Sequence, residues 1–177
     1  MEVKIFANSI SHLTDARYFA AWGATWMCYN IRSISLTEIA AIKEWVEGPK
    51  HIIDVIGVDP SEVAAMMTND AVDGYLTDNK ADHESIQSLL TRPVQSFIIQ
   101  EGYIDADQTI RTVIFSEDGA EQGALFMVNG NANQVVDFIK SHKPYGVLLS
   151  GSAEDKVGYK SFDEMDEILE ALETEDL

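Results

Sequence analysis

The sequence predicts an α/β chain folded as a small (β/α)8 barrel of the TIM type, with shortened fifth and sixth helices. Three observations lead there. The chain has 177 residues, 46% of them apolar, which suits one cored domain over residues 1–177 and is too apolar for disorder. Short apolar runs alternate with segments of helical period, and strict βα alternation builds a parallel sheet. Eight apolar runs can be counted, the number that closes such a barrel, although about 250 residues is the usual size. A doubly wound open sheet is the competing arrangement.

The elements follow in order. "VKIF" (3–6) reads as a strand. "HLTDARYFAAWG" has Leu13, Ala16, Phe19 and Ala20 at helical spacing, with Gly23 to close it. "TWMCY" is a second strand. "SLTEIAAIKEWVEG" opens with Ser35 and has Glu38 three residues on, a capping-box pattern. "HIIDVI" is a third strand. "DPSEVAAMM" starts a helix with Asp59 as cap and Pro60 at the first helical position. "VDGYL" is a weak strand, followed by the helix "DHESIQSLL" and the strand "QSFIIQ". The pattern then thins. "IDADQTI" holds at most a turn or two of helix before "TVIF", and "SEDGAEQG" holds little before "ALFMV". The last units are full: helix "NANQVVDFIKSHK", strand "YGVLL", helix "SFDEMDEILEALE". In that helix Phe162, Met165, Ile168, Leu169 and Leu172 share one face, which should cover the barrel.

Charge narrows the partners. A net charge of −18 and a pI near 4.3 argue against nucleic acid and anionic membranes, which need a basic face. A small phosphorylated ligand is still allowed, because a few backbone N–H groups can hold it. Cys28 is the only cysteine, so no internal disulfide forms and a reducing compartment is expected. The start "MEVKIF" lacks the parts of a signal peptide and no apolar run reaches 18 residues, which predicts a cytoplasmic protein. The four histidines have no metal-ligand spacing, and no dinucleotide fingerprint or P-loop occurs. No metal and no cofactor are expected.

Barrels of this type hold ligands at the C-terminal ends of their strands. The loop after the seventh strand offers Asn129, Gly130 and Asn131, and that after the eighth offers Ser150, Gly151 and Ser152. These two loops form the usual phosphate site of the architecture. Glycine lets backbone N–H groups approach an anion closely. The plainer alternative is that Gly130 and Gly151 only make tight βα turns. Arg32 lies in the loop after the second strand, and Asp78 and Glu101 are strand-end carboxylates. Asp54 sits within "HIIDVI"; it either points into the barrel, as a potential base, or is outward or hydrogen-bonded in a structural role.

The stretch "NGNANQVVDFIKSHKPYGVLLSGSAEDKVGYK", together with "VKIFANSI", "LTDARYFAAWGAT" and "NIRSISLTEI", resembles the phosphoribosylanthranilate isomerase family of tryptophan biosynthesis. The resemblance implies a (β/α)8 barrel that converts N-(5-phosphoribosyl)anthranilate to the carboxyphenylamino-deoxyribulose phosphate by an Amadori rearrangement. It implies a phosphate held by the loops at 129–131 and 150–152, and makes Arg32 the contact for the anthranilate carboxylate. The family's base is a cysteine at the end of the first strand, where this chain has Phe6. Its acid is an aspartate at the end of the sixth strand, where this chain has Ser116 and Glu117. Glu117 is then the candidate acid and Asp54 a substitute base. The alternative is a catalytically inactive paralogue that binds a phosphorylated metabolite or a protein partner. Thin coverage over 101–123 leaves apolar strand surface bare, which predicts a homodimer burying that side.

Overall fold

A computed structural model describes residues 3–105, 108–116, 124–127, 132–150 and 162–174. In chain order the elements are β1 (Lys4–Ile10), α1 (Leu13–Ala21), β2 (Trp26–Asn30), α2 (Leu36–Trp45), β3 (Lys50–Asp54), α3 (Pro60–Met66) and β4 (Gly74–Thr77). They continue as α4 (Lys80–Leu89), β5 (Gln95–Asp105), β6 (Gln108–Ser116), β7 (Ala124–Met127), α5 (Ala132–His142), β8 (Gly146–Ser150) and α6 (Asp163–Thr174). Helix starts follow their local chemistry. Ser35 and Glu38 form the reciprocal capping box of α2, with Glu38 Oε2 accepting from the Ser35 N–H at 2.8 Å. Asp59 accepts from the Ser61 N–H to cap α3, with Pro60 in its first turn.

The strands pair in sequence order, and β8 pairs back onto β1. β1 to β5 run parallel, as do β7, β8 and β1. β6 is antiparallel to both β5 and β7. Seven strands therefore point one way in a curled, TIM-like sheet with six described helices, and one runs against them. This corrects the all-parallel (β/α)8 expectation. The reason is chain length. A parallel crossover needs roughly a dozen residues or more. Only positions 106 and 107 separate β5 from β6, and positions 117–123 separate β6 from β7. The expected short fifth helix is instead a hairpin connection; the sixth would fall at 117–123, outside the described residues.

Alternation along the strands sorts side chains into two cores. Phe6, Trp26, Cys28, Ile52, Leu76, Phe97, Leu125 and Leu148 fill the inside of the sheet, none more than 3% exposed. Phe6 and Phe97 meet edge to face at 4.9 Å between ring centroids, and Trp26 adds a second such contact with Phe97 at 5.6 Å. The outward set, including Ala7, Met27, Tyr29, Ile53, Tyr75 and Val147, packs under the helices against Phe19, Ile39, Val63, Ile86, Val135 and Leu169. The expected apolar face of α6 is present: Ile168 and Leu169 are buried, with Met165 and Leu172 packed beside them. Phe162 stacks on Tyr18 of α1 at 3.9 Å, and the Tyr18 hydroxyl donates to Asp166 at 2.6 Å. Among the described residues no helix is long and apolar enough to cross a membrane.

Gly74 is a tight point in this packing. A Cβ there would lie 2.2 Å from the Gln95 carbonyl oxygen, a backbone atom that no rotamer change can move. Gly74→Ala is expected to lose about 1–3 kcal/mol. In urea titration this reads as a lower midpoint with an unchanged slope; an unchanged midpoint would refute the close contact.

Candidate functional site at the mouth of the sheet

The seven co-directional strands end on one face, and their last inward positions form its mouth. Asn8 pairs with Ser150, and Asn30 pairs with Asp54. Asn8, Asn30 and Asp54 are half-buried and Ser150 is exposed. Thr77 follows the inward Leu76 at the end of β4, so it faces outward, and it is 1% exposed.

Asp54 lies two residues after the inward Ile52, so it shares the inner face. Its charge also acts on Cys28, an inner-core residue. Alternation sets Asp54 on the inner face, and its Oδ1 accepts from the Ile56 N–H at 3.0 Å, the bond of a structural carboxylate. Arg32 is exposed and reaches the same turn, donating through its guanidinium to the Ile56 carbonyl. The Arg32 N–H donates to Asn30 Oδ1 at 2.9 Å, which folds the β2–α2 loop back over its strand. Residue Ile56 thus connects the two candidate groups, its N–H to Asp54 and its carbonyl to Arg32. Gly57 makes this fit. Its φ is +72°, and a Cβ there would sit 3.1 Å from the guanidinium. Asn30, Ile56 and Gly57 were missed as site residues in the sequence; the loop glycine ahead of Asp59-Pro60 was the available signal.

Phe6, which the sequence resemblance sets where a base would stand, is enclosed. Phe6 is 0% exposed and lies one inward step below Asn8, within the aromatic group of Trp26 and Phe97. Cys28 is no substitute. Burial, with the Asp54 charge as a smaller cause, pushes its thiol pKa well up, so it stays protonated and fully enclosed.

The reversal of β6 bears on Ser116 and Glu117, which the sequence resemblance sets where an acid would stand. Ser116, its last residue, pairs with Ser96 near the start of β5. The C-terminal end of β6 is therefore at the face opposite the mouth. Glu117 itself lies outside the described residues, as do Asn129, Gly130, Asn131, Gly151 and Ser152. Of the phosphate set the structure describes Ser150, beside Asn8. Asp78 is exposed after β4, across the sheet from β7 and β8. A cavity of about 260 Å³ lies away from the mouth, between α3 and α4. There the Arg92 guanidinium donates to the Met67 carbonyl at 2.9 Å.

No protein-family model matches the chain, and no curated protein matches it by sequence. Solved structures do. The phosphoribosyl anthranilate isomerase from Thermus thermophilus superposes with a TM-score of 0.69 at 15% identity, over 97% of this chain and 99% of that one. TrpF from Jonesia denitrificans gives 0.66 at 12%, over 97% of each chain. A phosphoribosyl anthranilate isomerase in complex with reduced 1-(o-carboxyphenylamino)-1-deoxyribulose 5-phosphate gives 0.65 at 12%, over 97% of this chain and 98% of that one. At these identities the likeness is one of fold.

Proposed function

We propose that this protein binds a phosphorylated small molecule at the mouth of the sheet and does not carry out the isomerase rearrangement. The observation that carries this reading is Phe6. An Amadori rearrangement needs a group to take the C2 proton and another to protonate the ring oxygen. A phenyl ring can do neither; the resemblance sets Phe6 at the base position, and the side chain is fully buried in an apolar cluster. In this reading Ser150 works with Asn129, Gly130, Asn131, Gly151 and Ser152 on the phosphate. Arg32 receives a carboxylate or a second anionic group.

The test uses two ligands and one assay. Thermal unfolding is followed with reduced carboxyphenylamino-deoxyribulose phosphate, the compound held by one of the similar structures, and with inorganic phosphate. Binding at a hundredfold excess over Kd stabilises by about 2.7 kcal/mol. Protection by the first ligand, with no turnover of phosphoribosylanthranilate, is the expected result. No protection by either ligand would overturn the binding, and turnover above the protein-free rate would overturn the inactivity.

One observation favours a second reading, an isomerase with replaced chemistry: Asp54 faces the mouth from the end of β3. It would serve as base, and its acid would be a group other than Glu117, whose neighbour Ser116 ends β6 at the opposite face. Turnover abolished by Asp54→Asn would establish this reading; turnover indifferent to Asp54→Asn, or no turnover at all, would overturn it.

A further inference from the structure

Arg32 and Asp54 are opposite charges held near each other and not paired. Both are fixed by one residue: the Ile56 N–H donates to Asp54 Oδ1 at 3.0 Å, and the Ile56 carbonyl accepts from Arg32 Nη2. Among the described residues no ion pair joins the two side chains. Asp54 uses one oxygen on the turn, and its Oδ2 has no partner among the described residues. Arg32 donates through Nη2 and leaves Nη1 and Nε without one. Asp54 is half-buried and Arg32 is exposed, so an acceptor and a donor are both within reach of a ligand at the mouth.

This arrangement bears on what Arg32 can receive. A ligand carboxylate that reaches Arg32 arrives beside the Asp54 carboxylate, on a chain of net charge −18. A ligand with a carboxylate alone gains from the guanidinium and loses to Asp54, because like charges at such range repel. A ligand with an ammonium on the carbon next to its carboxylate meets both groups: carboxylate to guanidinium, ammonium to Asp54 Oδ2. Two charge-assisted contacts then stand where there was one attraction and one repulsion. The adjoining mouth positions add no further charge. They are Asn30, in register with Asp54, and Asn8, in register with Ser150.

We propose that the Arg32–Asp54 end of the mouth binds an α-amino acid group, Arg32 taking the carboxylate and Asp54 the ammonium, so that the ligand is a phosphorylated α-amino acid. This rests on the phosphate-binding reading above and names the chemistry at the other end of that ligand. Ser150 and Asp54 are three strands apart in the order β8, β1, β2, β3, roughly 14 Å around the curl at the usual strand spacing. Both lie on the inner face, which shortens the span between them and leaves room for several atoms between phosphorus and the α-carbon.

Titration calorimetry tests it with 2-amino-5-phosphonopentanoate and 2-amino-7-phosphonoheptanoate, each against the same chain without its amine. The expected result is that the amine tightens binding about tenfold or more. Asp54→Asn keeps an oxygen for the Ile56 N–H and removes the charge, and it is expected to abolish that difference. A melting curve of the variant matching the unaltered protein's would show that the turn is intact; the comparison of ligands on the unaltered protein stands without it. Equal binding with and without the amine, or a preference that survives Asp54→Asn, would overturn the inference. Reduced carboxyphenylamino-deoxyribulose phosphate, titrated alongside, separates two kinds of failure. If it binds and neither amino acid does, the α-amino acid end is wrong and the phosphate-binding reading stands; if nothing binds, both fall.

Discussion

Phe6→Cys is expected to weaken the protein substantially and to restore no isomerase turnover. Phe6 is completely buried among Trp26, Phe97 and the aliphatic inner core. Large-to-small changes at such sites cost about 3–5 kcal/mol for Phe→Ala, through lost transfer energy and the cavity left behind. Cysteine refills part of the volume, so about 2–4 kcal/mol is expected, or about 2–4 °C of melting temperature per kcal/mol in a chain of this size. A thiol placed there meets apolar walls, which raise its pKa and keep it protonated. A restored base would in any case supply about 10² to 10⁴ in rate only beside a working acid, and the end of β6 lies at the other face. Denaturant titration and the turnover assay on one preparation check both halves. A loss below about 1 kcal/mol would mean that the core does not close on Phe6 as described. Recovered turnover would mean that an acid already stands at the mouth.

Much of the fold was legible because its signals are local. Helical periods, the Ser35–Glu38 capping box and the Asp59-Pro60 start are written in adjacent residues, and each appears where expected. Strand direction is not local. "TVIF" is equally apolar whether it runs up or down, and only the two-residue gap after Asp105 decides it. In the sequence the apolar runs "QSFIIQ" and "TVIF" leave 101–111 between them, close to what a crossover needs; the gap closes only because both strands extend beyond their apolar runs. The site divides the same way. Arg32 and Asp54 stood out by type, and alternation from Ile52 fixes the face of Asp54. What joins them is the peptide of Ile56, whose N–H and carbonyl serve the two side chains. Backbone groups are common to every residue, so no sequence pattern names the one that matters.

The second large effect is a loss of stability in mild acid that depends on His51. This side chain is 1% exposed, under α2 on the outer face of β3. Its Nδ1 meets the Tyr29 hydroxyl at 2.9 Å, with the two rings nearly coplanar in stacking. Burial, and next the nearby Lys43 ammonium, lower its pKa to about 4, against an opposing pull from Asp73. Asp73 is held by Lys43 at 3.1 Å and by the His51 N–H at 2.8 Å, so its carboxylate is already engaged. The sign follows from proton counts. Between the unfolded value near 6.5 and the folded value of about 4, the unfolded chain binds a proton that the folded chain refuses. The contribution is therefore complete above pH 6.5 and is lost progressively as pH falls towards 4, in total about 3 kcal/mol. Protonation of the chain's 30 carboxylates relieves repulsion over the same range and acts in the opposite direction. The comparison must therefore be between proteins at each pH. His51→Gln removes the titrating group while leaving an amide within reach of Tyr29. Its urea midpoint should lie below that of the unaltered protein at pH 7, and the gap should narrow or reverse by pH 4.5. Parallel midpoints across that range would mean that His51 gains its proton as readily in the folded chain as in the unfolded one.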